Sequence, residues 1–188
     1  MSGMKLNLGC GNKRYDGFLN VDKFNVFQPD ILHDLEQFPY PFEDNTIDEI
    51  KMYHILEHLG QDPKTFNNIM KELYRVCKNQ AKIDIRVPHP RHDHYIADPT
   101  HVRPITQMTL NLYDRELNEH WKSTGAANTL LAIINNVNFK IVETIVNLEK
   151  KYHDLLKENK ITQEKLEEYI NKYNNVVVET QFILKVIK

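Results

Sequence analysis

The sequence predicts an α/β fold: a mostly parallel sheet of about seven strands, helices on both faces, and an antiparallel last strand. Short apolar runs of strand length recur along the chain, and the first, Met4 to Leu8, stops at the glycine turn Gly9-Cys10-Gly11. Segments of helical periodicity separate several of these runs, which favours a parallel sheet. The closing run, 176–187, follows a helical segment and is predicted to pair antiparallel with its neighbour.

Five further strands are predicted from apolar runs of the same kind. They lie at 18–22, at 30–34 (very short), at 47–54, at 81–87 and at 139–148. The segment Phe38-Pro-Tyr-Pro-Phe42 between them must be a loop, because its two prolines lack backbone donors and have a fixed φ.

The helices are predicted from apolar stripes. The clearest stripe covers 64–78, and weaker ones cover 106–113 and 124–137. Only ten residues separate Gly11 from Asp22 and part of them is strand, so the first helix is predicted to be cut to a turn or replaced by loop. The segment 148–174 carries two short amphipathic stripes. We therefore predict one domain over 1–188 with a helical insertion at about 148–174.

Composition narrows the class of protein. Of the 188 residues, 41% are hydrophobic and 27% charged, with a net charge of −2, which indicates a soluble globular protein without a basic field for nucleic acid. No signal segment is visible, and no run approaches the ~18 apolar residues of a membrane span. The two cysteines, Cys10 and Cys77, are too few for a disulfide framework, so a reducing cytoplasm is expected.

Several segments together resemble the class I S-adenosylmethionine-dependent methyltransferases, in that family's order and across residues 4 to 90. This resemblance implies a Rossmann-like fold and S-adenosylmethionine as cofactor. The segments are Leu6-Asn-Leu-Gly-Cys-Gly11, Asp22, His33-Asp34-Leu35, Phe38-Pro-Tyr-Pro-Phe-Glu-Asp-Asn-Thr-Ile-Asp48, Tyr53-His-Ile-Leu-Glu-His-Leu59 and Met70-Lys-Glu-Leu-Tyr-Arg-Val76.

The resemblance also implies which residues bind the cofactor. The turn Gly9-Cys10-Gly11 would let the backbone approach the ligand at the carboxyl end of the first strand. Asp22 would accept hydrogen bonds from both ribose hydroxyls. Cys10 itself is interpreted as a packing residue rather than a nucleophile.

The later segments supply the rest of the implied cofactor site. Asp34 would meet the adenine amino group and Leu35 would pack on the ring. Tyr53 and His54 would line the methionine end of the cofactor.

The string His54-Ile-Leu-Glu-His58 has a second interpretation, because it matches the inverted zinc-protease pattern H-x-x-E-H. That pattern belongs inside a helix, whereas here it follows a predicted strand, so no metal is assigned. A zinc-dependent hydrolase using His54 and His58 stays as an alternative.

The loop-like segment 89–104 holds the densest group of ionisable residues and follows the fifth strand, so it should overhang the acceptor entrance. We expect His101 and His94 in the acceptor site and His92 on the surface. A metal site among these histidines and carboxylates is a further alternative. Three arginines offer a clamp for an acidic acceptor: Arg86, Arg91 and Arg103.

The sequence therefore predicts a methyltransferase that acts on an oxygen or nitrogen of a small molecule or sugar derivative, with a homodimer as one arrangement. Histidine has a pKa suited to a base near neutral pH, so His54, His58 or His101 is expected to orient or deprotonate the acceptor. A catalytically silent S-adenosylmethionine-binding subunit is the other alternative, with 148–174 as its partner contact.

Overall fold

The computed structural model describes residues 3–188. The strands are β1 Met4–Leu8, β2 Leu19–Asp22, β3 Ile31–Leu32, β4 Ile47–Tyr53, β5 Cys77–Pro88, β6 Phe139–Leu148 and β7 Val177–Val186. These seven strands form one mixed sheet in the order β3-β2-β1-β4-β5-β7-β6. The first five strands in this spatial order, β3, β2, β1, β4 and β5, pair in parallel. Strand β7 lies between β5 and β6 and is antiparallel to both. The predicted sheet of about seven strands with an antiparallel last strand is confirmed.

Seven α-helices and two short 3₁₀ helices connect the described strands. Turns, not a helix, join β1 to β2 in this part of the chain, as the short spacing predicts. No helix within residues 3–188 has the length and apolar character to cross a membrane. The α-helices are α1 Pro63–Val76, α2 Asp93–Ile96, α3 Gln107–Asn111, α4 Arg115–Thr124, α5 Leu131–Asn135, α6 Lys150–Lys157 and α7 Gln163–Lys172, and the 3₁₀ helices are Asn25–Phe27 and Leu56–His58.

The helix predicted at 124–137 is wrong in its position. The chain forms α4 before this segment and only the five-residue α5 within it. Asp114 caps α4 by accepting a hydrogen bond from the Leu117 N–H, and Gly125 ends it at φ +70°. These two cap signals were present in the sequence, but α4 carries few apolar residues and gives a weak stripe.

The main hydrophobic core lies between α1 and the central strands. The apolar side of α1 is buried against side chains that alternate along β1, β4 and β5, so each strand gives every second residue to this face. The residues of α1 in this core are Phe66, Ile69, Met70, Leu73 and Val76, and the strand residues include Leu6, Leu8, Ile50, Met52, Ile83 and Ile85.

The opposite face of the central strands is polar. Asp84 on β5 is 3% exposed and accepts hydrogen bonds from the Tyr53 hydroxyl (2.8 Å) and the Gln181 amide (2.7 Å). The ammonium group of Lys51 lies 3.7 Å from the same carboxylate and 5.2 Å from the Tyr15 ring centre. The turn segment between β1 and β2 therefore packs on this face. This is the segment in which the first helix was predicted to be cut to a turn or replaced by loop.

Candidate functional site

The carboxyl ends of β1, β2 and β4 meet at a cavity of about 400 Å³. This is the edge where open α/β sheets bind ligands. We call it the first cavity, and its walls are formed by Gly9, Gly11, Asp22, Lys23, Phe24, Phe27, His33, Asp34, Leu35, His54, Ile55, His58, Leu59 and Thr100.

The glycine turn forms one wall of the first cavity. The N–H groups of Gly9 and Cys10 donate to the Val21 carbonyl, which holds the turn against β2. A Cβ on Gly9 would lie 2.4 Å from Ile55, whereas a Cβ on Gly11 would meet no described atom within 4 Å. Gly9 thus permits close packing, and Gly11 leaves room for a ligand.

Cys10 is buried rather than on the cavity wall. Burial, and then the nearby Asp22 carboxylate, raises the pKa of its thiol. A thiol with a raised pKa is a poor nucleophile near neutral pH.

Asp22 is fixed at the end of β2 and faces the first cavity. Its Oδ2 accepts from the Gly11 N–H (2.9 Å) and its Oδ1 from the Phe24 N–H (2.9 Å), and the residue is 7% exposed. Each carboxylate oxygen can accept a further hydrogen bond. The geometry thus presents a pre-oriented acceptor to a ligand with hydroxyl donors.

Asp34 and Leu35 form another part of the wall, after β3. One oxygen of Asp34 accepts from the Glu36 N–H at 3.0 Å, which fixes the carboxylate. His33 beside them also lines the cavity, and its Nε2 is buried without a hydrogen-bond partner among residues 3–188. The sequence assigned no role to this buried, unpaired imidazole nitrogen.

Tyr53 is the one predicted cofactor residue that lies on the polar face of the sheet. Its hydroxyl donates to Asp84, and the Arg86 guanidinium lies 4.3 Å from its ring centre. Desolvation, and then the Asp84 hydrogen bond, raises the pKa of this hydroxyl. The structure therefore does not bring Tyr53 together with the cavity residues.

His54 lines the first cavity and has an unusual backbone conformation, with φ +54°. Its Nε2 lies 2.8 Å from Glu179 and its Nδ1 lies 3.6 Å from Glu57. The contact with Glu57, and more weakly Glu179, raises the pKa of the imidazole against the opposing effect of burial. A non-glycine residue with a left-handed backbone conformation, placed between two carboxylates at a cavity wall, is typical of a functional position.

A second cavity of about 240 Å³ adjoins the first, and His54 and His58 line both. It brings the string at 54–58 together with the loop residues Asp98 and His101, and the His58 and His101 ring centres are 4.6 Å apart. We call it the second cavity, and it is lined by His54, Glu57, His58, Pro88, His94, Asp98, His101, Val178 and Glu179.

No protein-family model matches the sequence, and no curated protein matches it. Many solved structures share its fold. A SAM-dependent methyltransferase from Archaeoglobus fulgidus superposes with a TM-score of 0.58 at 17% identity, covering 97% of this chain and 86% of that one. A SAM-dependent methyltransferase from Methanosarcina mazei gives 0.56 at 14% identity, covering 99% and 93%.

The protein has the class I methyltransferase fold. At these identities the likeness shows the fold alone, and one structure with this fold is the [4+2]-cyclase SpnF (TM-score 0.55, 13% identity, 99% and 76% covered). The chemistry of this chain therefore depends on the residues that line its own cavities.

Several predictions about the loops of this methyltransferase fold need correction. His92 is 3% exposed rather than on the surface, because its ring contacts Glu149 at 3.0 Å. The three arginines do not form one clamp: Arg86 stacks on Tyr53, Arg91 donates to carbonyls of α7, and Arg103 donates to the Gly60 carbonyl.

The string His54–His58 does not lie on an α-helix. Tyr53 ends β4, and only Leu56–His58 forms a 3₁₀ turn, so the two histidines lack the helical spacing of the zinc-protease pattern. Sequence reasoning also left Glu57 and Thr100 unassigned, although Glu57 stands inside the string that it singled out.

Proposed function

We propose that this protein binds S-adenosylmethionine in the first cavity and transfers its methyl group to an oxygen or nitrogen atom of a small acceptor. One observation carries the proposal: the first cavity gathers Gly9, Gly11, Asp22, Asp34 and Leu35, which come from three separate segments. The resemblance assigned these same residues to the cofactor.

The first cavity fits the cofactor chemically. In this proposal Asp22 accepts hydrogen bonds from the ribose hydroxyls, because its carboxylate is fixed and retains free acceptor positions. The open space at Gly11 admits the ligand against the backbone. Asp34 accepts from the adenine amino group and Leu35 packs on the ring.

When bound, the cofactor supplies a methyl group already activated by a positively charged sulfur. The task left to the protein is to hold the acceptor in line and to remove its proton. We assign removal of the acceptor's proton to His54, which lines both cavities and is oriented by its contact with Glu179. His58 and His101, which also line the second cavity, orient the acceptor.

The second cavity is the proposed acceptor site. Its volume of about 240 Å³ suits a small molecule or a sugar derivative. The sequence-based expectations of a cytoplasmic location and a homodimer stay predictions, as does the absence of a nucleic-acid partner.

The first prediction concerns Asp22. S-adenosylhomocysteine should bind the wild-type chain with one site in calorimetric titration, and Asp22→Asn should weaken it roughly 10- to 100-fold. The expected loss corresponds to a hydrogen bond with a charged group, about 1.5–3 kcal/mol. Asp16→Asn is the matched control, since Asp16 is an exposed acid in the preceding turn segment.

Two further results complete the test. His54→Gln should slow turnover with any acceptor found by a larger factor than it weakens S-adenosylhomocysteine binding, because His54 lines both cavities and is assigned removal of the acceptor's proton. Folded wild-type protein that binds neither S-adenosylmethionine nor S-adenosylhomocysteine would contradict the proposed function.

A further inference from the structure

Glu57 is the most enclosed carboxylate of the second cavity, at 1% exposed. Neither of its oxygens has a hydrogen-bond partner among residues 3–188. The nearest imidazole nitrogens lie beyond hydrogen-bond distance, with His54 Nδ1 at 3.6 Å and His101 Nε2 at 4.0 Å. An enclosed carboxylate without hydrogen bonds is costly, so this position calls for a cation.

Two imidazoles beside Glu57 are held with one nitrogen free. The Nδ1 of His101 lies 2.7 Å from the Tyr95 carbonyl, which only accepts, so Nδ1 carries the proton and Nε2 keeps its lone pair. The Thr100 hydroxyl donates to Asp98 (2.6 Å) and accepts from Nδ1 of His58 (2.9 Å). His58 therefore also keeps a lone pair on Nε2.

We propose that Glu57, His58 and His101 bind a divalent transition-metal ion in the second cavity. One ligand atom of each residue lies within 4.8 Å of the others. Zinc–nitrogen bonds are about 2.0–2.1 Å, so the three side chains draw closer together on binding. Histidine ligands whose other nitrogen donates to a carbonyl or a polar oxygen are the usual arrangement in metal sites.

The donor set selects the class of metal. Two imidazoles and one carboxylate suit Zn²⁺, Fe²⁺ or Co²⁺ rather than Mg²⁺ or Ca²⁺, which prefer oxygen ligands only. Three protein ligands leave at least one coordination position open. The sequence string pairs His54 with His58, but the structure instead pairs His58 with His101 from the loop after α2.

The location gives the metal a specific relation to both cavities. His58 lines both, so the ion would lie where the cofactor and acceptor cavities meet. An open coordination position there would hold an oxygen atom of a ligand in the second cavity. Metal binding by these three side chains does not depend on methyl transfer.

The test uses the full, tag-free chain after removal of metal with a chelator. Calorimetric titration with Zn²⁺ should show one equivalent bound, and Co²⁺ should give a visible absorption band that Zn²⁺ abolishes. Glu57→Gln and His101→Ala should each weaken Zn²⁺ binding at least roughly tenfold. His153→Ala is the matched control, because His153 is an exposed histidine beside a carboxylate on α6.

Absence of saturable Zn²⁺ and Co²⁺ binding by folded wild-type chain would overturn the metal site, and so would unchanged binding in Glu57→Gln. If Glu57→Gln does not fold, His58→Gln and His101→Gln decide the matter in the same way. Binding of S-adenosylhomocysteine, measured separately, reports on the proposed function and is independent of this result.

Discussion

At the scale of single residues, the pair Glu72 and Arg75 fixes a loop that no regular element holds. Arg75 donates to both oxygens of Glu72 and also to the carbonyls of Tyr40 and Phe42. Glu72 in turn accepts from the Tyr40 N–H at 2.6 Å. The pair thereby ties the proline-rich segment after β3 to α1.

The prediction at this scale is a pH dependence of stability. Burial opposes ionisation of Glu72, but its hydrogen bonds from Arg75 and Tyr40 outweigh it and lower the pKa of Glu72 below its usual value of about 4.5. A carboxyl with a lowered folded-state pKa stabilises the fold above its unfolded pKa and loses this effect as pH falls through the folded pKa. Urea unfolding should show Glu72→Gln less stable near pH 7 by roughly 1.5–3 kcal/mol.

The difference between wild type and Glu72→Gln should shrink as the pH falls below about 4.5. Glu164→Gln, on the exposed side of α7, is the control and should show no such trend. A constant difference between pH 7 and pH 3 would argue against the ion pair.

At the scale of elements, the glycine turn after β1 uses its two glycines differently. Gly9 has φ +65° and no room for a side chain beside Ile55, whereas Gly11 has φ +49° and open space. Replacing either glycine with alanine should cost a similar free energy of backbone strain, because both have a positive φ. The two substitutions differ in whether the added Cβ finds room.

We therefore expect Gly9→Ala to lower the free energy of unfolding by roughly 2–4 kcal/mol, and Gly11→Ala by only about 1–2 kcal/mol. Gly11→Ala should also weaken S-adenosylhomocysteine binding. Gly17→Ala is the matched control, with φ +78°, open space and a position outside the first cavity. Equal stability of the Gly9 and Gly11 variants would contradict the packing argument.

At the scale of the whole molecule, we expect the buried Cys77 thiol to report on global unfolding. It starts β5 directly after α1 and is fully buried, and this burial raises the pKa of its thiol to about 12. In a Cys10→Ser background, a thiol reagent should therefore modify Cys77 only through global opening, so the rate should rise with urea as steeply as unfolding predicts. A rate that does not depend on urea would indicate a local opening at the start of β5.

The candidate site divides into a part that the sequence predicts and a part that it does not. The resemblance assigned Asp22 and Asp34 to the cofactor. The two residues meet in the structure because parallel strands end at one edge of the sheet, where Asp22 ends β2 and Asp34 follows β3. The resemblance put Tyr53 at the cofactor, but alternation along β4, which buries Ile50 and Met52 in the core, turns Tyr53 to the opposite, polar face. His92 was put on the surface because its partner Glu149 is remote in sequence.

By itself, the sequence determined the sheet, the glycine turn and the missing first helix, because these depend on local periodicity, glycine conformation and the short spacing to Asp22. Only the tertiary structure decided that Glu57 is enclosed and that His101 joins His58 beside it. The loop after α2 is held there by the Val102 and Arg103 N–H groups donating to the Glu57 carbonyl. Contacts between segments so distant in sequence depend on packing, which no local pattern encodes.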